Sequence, residues 1–190
     1  ALRALDYISE TTPQILTSAL TDGLAWHDDW NYGRVMEILN DSIMDGFFNL
    51  RPIEEAMCEV LRIVEKEESL EHKNEVRRLA FEALTLIADR YDEDDDLEGL
   101  DHVLEIIVLA LVDSDSEISK SAEHSLRGLG INRTDLVAKH LTAALEDEEN
   151  FVFSKDLEVV LRLLHRFIPY LENPYLVVDV LAEISEELYD

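Results

Sequence analysis

Apolar residues recur along this chain at intervals of three and four and almost nowhere alternate at two. That spacing lines one side of a helix and not one face of a strand. Glycine and proline are rare, six and four, and they fall where turns are wanted. The pattern predicts eight to ten helices with short connections. A short helix is expected near Leu2 to Ser9, and a second from Pro13 to about Trp26, with Thr12 as its cap. A third is expected from about Tyr32 to Phe48, with Val35, Ile38, Leu39, Ser42 and Ile43 on one face. Arg51-Pro52 opens a helix striped by Ile53, Met57, Val60, Leu61 and Val64.

The later segments are more regular. "NEVRRLAFEALTLIAD" reads as a helix capped by Asn74, with Val76, Ala80, Ala83, Leu84 and Ile87 on one side. "HVLEIIVLALVD" is apolar nearly all round, which predicts a helix wedged between neighbours. "DSEISKSAEHSLRGLG" follows with Ile118, Ala122, Leu126 and Leu129, and Gly128-Leu129-Gly130 reads as its end. "RTDLVAKHLTAALED" places Leu136, Val137, His140, Leu141 and Leu145 together. "KDLEVVLRLLHRFIPYLEN" and "PYLVVDVLAEISEELYD" form a last pair, parted at Asn173-Pro174.

One stripe repeats. Val76, Ala80, Leu84 and Ile87 have the spacing of Ile118, Ala122, Leu126 and Leu129, displaced by 42 residues. Phe153, Leu157, Leu161 and Leu164 show it again, 35 residues further on. With its acidic turn, branched opening residue, alanine and Leu-x-x-Leu, "LVDSDSEISKSAEHSLRGLG" resembles a HEAT helix-turn-helix. Over about residues 74–168 the chain thus resembles the HEAT and armadillo-like helical-repeat family. That resemblance implies an all-α chain, a right-handed α-α superhelix of helix pairs in one domain over residues 1–190. Residues 51–190 would form the pairs, and residues 1–50, where "SIMDGFFNL" lacks the signature, a divergent N-terminal cap. The competing reading is a non-repetitive helical bundle.

Charge narrows the partners. Forty-three acids oppose sixteen bases for a net charge of -27, and only five bases are lysine. A phosphate backbone is held by Lys and Arg that this surface does not supply, which argues against direct nucleic-acid binding. An anionic membrane surface is disfavoured for the same reason. Three readings of the acidity stay open: solubility in a salty, halophile-like cytoplasm, steering of a basic partner, and mimicry of DNA. No apolar run approaches the roughly 18 to 20 residues that span a bilayer. Cys58 stands alone, which points to a reducing, intracellular, cytoplasmic setting. The chain opens at Ala1 without a signal-like segment, so secretion is not expected.

Candidate chemistry is sparse. "DDDLEGLDHVLE" approximates a calcium loop through Asp94, Asp96, Glu98 and Glu105, with Gly99 at the turn position. Glu98 is too long for its position, Asp101 replaces an apolar residue and no partner loop exists, so a solvated connector is the preferred reading. "WHDDWN", residues 26–31, reads as a turn with buried indole, and Cys58 as an inert thiol. The histidines lack metal-ligand spacing, and His140 reads as a core residue. No phosphate loop or nucleophile motif occurs, so no enzyme activity, metal or cofactor is expected. Arg77 and Arg78, and Arg162 and Arg166, are expected in ion pairs within the chain.

The resemblance implies a scaffold or adaptor, since most HEAT-like proteins are such and the few that act on DNA are basic where they touch it. The second helix of each pair would line the inner wall, which assigns a partner-binding set of Glu75, Arg78, Glu82, Ser119, Glu123 and Glu158. Its acidic bias predicts a protein partner with a basic segment. The alternatives are an acidic DNA mimic, a metal-binding regulatory protein, and a structural subunit that forms a homodimer through one end of the stack.

Overall fold

The computed structural model describes Ile43 and residues 50–66, 73–145 and 154–187. The predicted helices before Leu50, "WHDDWN", His72 and Phe153 lie outside the described residues. Among the described residues every regular element is helical. In chain order these are α1 (Leu50–Lys66), α2 (Lys73–Glu93), α3 (Leu97–Leu109), α4 (Ser116–Asn132), α5 (Thr134–Leu145), α6 (Ser154–Phe167) and α7 (Tyr175–Glu187). Single 3-10 turns follow α3 at Ala110–Val112 and α6 at Ile168–Tyr170. The chain divides into two units, Ala1–Val103 and Leu104–Asp190.

In the first unit α1 packs on α2. α1 buries Ile53, Met57, Val60 and Val64, as its spacing predicts, while Leu61 of the same predicted stripe is half-buried. α2 buries Val76, Ala80, Leu84 and Ile87, and extends that stripe to Ala88 and Tyr91. Asn74 is not a cap, because the helix already includes Lys73. α2 ends in a Schellman motif, with the Asp96 amide donating to the Tyr91 carbonyl at 2.9 Å. Asp95 takes the left-handed conformation there, φ 60°, a place where Asp or Asn substitutes for glycine. Asp96 then caps α3, its Oδ1 accepting from the Gly99 amide at 3.0 Å.

In the second unit α4 packs against α5, α6 and the first 3-10 turn, and α5 also meets α6 and α7. Ile118, Ala122, Leu126 and Leu129 are all buried. The acidic turn before α4 is built from caps. Asp113 Oδ1 accepts from the Asp115 amide at 2.7 Å, and Asp115 Oδ1 from the Glu117 amide at 2.9 Å. Ser119 Oγ reaches back to the Leu111 carbonyl at 2.8 Å.

The third stripe is corrected. Leu161 is 37% exposed, and α6 buries Val160, Leu163, Leu164 and Phe167 instead. The helix is turned so that Val160 and Leu164, 42 residues beyond Ile118 and Ala122, face inward. Val160 and Leu164 thus keep the displacement of 42, while the next two places, Ile168 and Leu171, are half-buried. Gly128-Leu129-Gly130 is also not a helix end, since α4 runs on to Asn132 and closes with the Arg133 amide on the Leu129 carbonyl at 2.8 Å.

Two glycines are required by aromatic rings. A Cβ on Gly99 would lie 2.7 Å from the Tyr91 ring, and one on Gly130 would lie 2.3 Å from the Phe167 ring. Both rings are buried and cannot swing aside freely. Gly128, two residues before Gly130, faces open space. Gly99→Ala and Gly130→Ala are expected to lower urea-unfolding stability by about 1–3 kcal/mol through overpacking. Gly128→Ala should raise it by about 0.5–1 kcal/mol, because alanine loses less backbone entropy in a helix.

Candidate functional site

The most chemically organised place in the first unit is a buried carboxylate. Glu54 lies in α1 on the same face as Leu50 and Met57, and its side chain is 0% exposed. A lone buried carboxylate would cost several kcal/mol, about the desolvation penalty of one ion. Three neighbours offset that cost. Tyr91 of α2 donates its hydroxyl to Glu54 Oε2 at 2.7 Å. His102 of α3 sets its Nδ1 against Oε1. Arg51, one turn back on α1, brings Nη1 to 3.7 Å from Oε2.

Each neighbour is placed by the fold just described. Tyr91 continues the apolar stripe of α2 by one turn from Ile87. Its ring packs flat against α3 because Gly99 leaves room. Asp96 starts α3 where its second turn delivers His102 to Glu54. Arg51 is further tied to Glu98 at 3.0 Å. One carboxylate thereby joins α1, α2 and α3 through side-chain hydrogen bonds.

Burial, then the bond to Glu54, raises the Tyr91 hydroxyl above its ordinary value of 10.0, so it remains a donor at neutral pH. Cys58, one turn beyond Glu54, has its thiol pushed up to about 11, first by burial and then by the Glu54 charge. A thiol so raised is no nucleophile near neutrality. The arrangement does fix one imidazole. With Nδ1 held by the carboxylate, Nε2 is the ring nitrogen left for other hydrogen bonds, on a side chain 52% exposed.

The calcium residues do not form a wrapped loop. Residues 97–109 are helical, so Glu98 and Glu105 lie along α3, while Asp94 approaches Arg90 at 3.6 Å and Asp96 serves as a cap. Gly99 sits inside the first turns of α3, where the Tyr91 ring and not a metal loop demands it. Among the described residues no three His, Cys, Asp or Glu side chains converge on a point that would hold a metal ion.

The partner-binding set falls into two groups. Glu75, Arg78 and Glu82 lie on the face of α2 opposite its buried stripe, with Glu75 and Arg78 4.0 Å apart. Ser119, Glu123 and Glu158 belong to the second unit. Ser119 is occupied with Leu111, and Glu123 holds Arg127 of its own helix and Arg162 of α6, the latter at 3.0 Å. Glu158 is exposed. The expected pairing of Arg162 is thus seen, and that of Arg166 is not. His140 is half-buried on α5, beside the core residue Leu141.

Sequence reading missed Glu54, Tyr91 and His102 as a group. The available signal was a carboxylate in the apolar series Leu50, Glu54, Met57, Leu61, which is spaced as one helix face.

Tyr91→Phe keeps the ring and removes one donor from the buried carboxylate, so a loss of about 1–3 kcal/mol is expected in urea unfolding. His102→Ala, at a half-exposed position, should cost less. Cys58 and Tyr91 both hold their protons more tightly folded than unfolded. The Cys58 contribution to stability is therefore complete below the ordinary thiol value of 9.0 and is lost as pH rises toward about 11, while that of Tyr91 begins to be lost only above its ordinary value of 10.0. Denaturant midpoints measured from pH 8 to 11 should fall, and less steeply in Tyr91→Phe.

Among the described residues no helix is long and apolar enough to cross a membrane. Comparison of the chain with protein-family models, with curated proteins and with solved structures returns no match.

Proposed function

We propose that this chain is a non-enzymatic protein-interaction module, built of HEAT-like helix pairs in a right-handed superhelix, whose acidic surface binds a Lys- or Arg-rich segment of a partner protein. Two observations support the architecture. The stripes at Val76 and Ile118 are both buried through all four positions, and the displacement of 42 extends to Val160 and Leu164. Small residues, Ala80 and Ala122, hold the second place in two of those stripes, and both are fully buried.

The reading of the partner rests on one surface. The face of α2 away from its core, and the turn that follows, present Glu75, Glu82, Asp89, Glu93, Asp94, Asp96 and Glu98 at exposed positions. The bases near them, Arg51, Arg78 and Arg90, are spent on Glu98, Glu75, Glu93 and Asp94. Acid therefore exceeds base along this whole face, as a surface that steers a cationic segment requires. The outer face of α4 differs, carrying Lys120, Ser121 and His124 beside Glu117. The binding surface is accordingly centred on α2 and its C-terminal turn, with Glu123 of α4 retained for its two arginines.

The test is the affinity of a lysine-rich peptide or a captured basic partner at two salt concentrations. Charge reversal at Glu82, and at Glu75, should weaken binding about three- to tenfold each at low salt, with the difference shrinking as ionic strength rises. Unchanged affinity in the double variant rejects this face.

A further inference from the structure

In the second unit a cavity of about 660 Å³ opens between the end of α4, the start of α5 and the end of α6 with its 3-10 turn. Ile131, Thr134, His165, Arg166, Phe167 and Tyr170 line it. Its volume is within the roughly 300–1,000 Å³ of small-molecule sites. Phe167 is buried, pressed on Gly130, while Ile131 and Tyr170 stand 77% and 74% exposed. Two large apolar side chains left that far in water, around one cavity, are an energetic cost that an apolar occupant would relieve.

Among the described arginines the one at this cavity is the exception. Arg51, Arg62, Arg78, Arg90, Arg127 and Arg162 each face a carboxylate. Arg77 and Arg133 are engaged as well. Arg166 alone among the described arginines has no ion pair or hydrogen bond, and the adjacent His165 has none either. In a chain of net charge -27, with forty-three acids available, a guanidinium without an acid beside it is aimed at something else. Arginine presents a fork of N–H donors that fits a carboxylate through two parallel hydrogen bonds. Thr134 adds no competing charge, its hydroxyl donating to the Gly130 carbonyl at 2.7 Å.

We propose that this cavity is a binding site for a small amphipathic carboxylate, its apolar body between Ile131, Phe167 and Tyr170 and its charge on Arg166. A bare phosphate would leave the apolar walls uncovered. An anionic macromolecule would meet the repulsion of the whole acidic surface, whereas a small ion feels chiefly the charges within about 8 Å. The size and the single cation therefore select a small monoanion.

Isothermal titration of the full chain with octanoate, and with octan-1-ol as the uncharged control, tests this. Octanoate is expected to bind one to one and more tightly than octanol. Arg166→Gln should weaken octanoate about tenfold, the worth of a lost charge-assisted pair, and leave octanol unchanged. Ile131→Ser should weaken both. Both substitutions are at exposed positions, and unchanged thermal unfolding checks that the fold is intact. Absence of octanoate binding up to about 10 mM, binding equal to that of octanol, native affinity in Arg166→Gln, or indifference to Ile131→Ser overturns the assignment.

Discussion

The helices from α1 to α6 depend on hiding apolar faces that they cannot cover by themselves. An isolated helix of twelve to twenty residues is marginal in water, and packing of the stripe supplies most of its stability. α2 and α4 show how strictly this holds. Each carries a branched residue, an alanine and two larger aliphatics at spacings of four, four and three, and all eight side chains are buried. The polar features of the chain are fitted around those stripes. Acids start and end the helices, glycines stand where aromatic rings close on a backbone, and the one fully buried carboxylate sits at the edge of a stripe.

That dependence explains what could be read in advance. Helix identity was legible because a buried stripe enforces its own periodicity, and α1, α2, α4 and α5 follow the spacing closely. Phase was less legible. α6 contains Val159, Val160, Leu161, Leu163 and Leu164 in close succession, so several rotations give a plausible stripe. The helix settles with Val160 and Leu164 inward and Leu161 half out. Glycine was misread because its meaning lies in the residue opposite. Nothing near Gly130 in sequence announces Phe167, and nothing near Gly99 announces that Tyr91 lies across it. The Glu54 cluster was hidden for the same reason, since its members are 37 and 48 residues away from it.

The acidic composition has a structural share and a surface share. Asp96, Asp113 and Asp115 satisfy backbone amides that helix ends leave open, a role neutral Asn or Ser fills equally well. Glu54 and Glu123 hold side chains of two or more helices together. Those positions require an acceptor but not a net charge of -27. The excess is on outward positions such as Glu82, where no fold requirement selects acid over any other polar residue. Selection there acts through solvent, salt or a partner. Only the partner reading requires the excess to be concentrated on one face, and α2 with its following turn is more acidic than the outer face of α4.

The same accounting isolates Arg166. When cations are scarce and carboxylates abundant, Coulomb attraction alone brings nearly every guanidinium to an acid, at little cost for a long side chain. An arginine escapes that fate only where its surroundings keep acids away. Around Arg166 the near neighbours on the cavity wall are aromatic, aliphatic, imidazole and hydroxyl groups, with no carboxylate among them. Apolar walls also lower the local dielectric response, which strengthens whatever anion does arrive. The two proposed ligands, a basic segment at α2 and a small carboxylate at Arg166, are thus separable by range. The first would respond to the summed field and fade with salt, and the second would depend on contacts inside one cavity and persist.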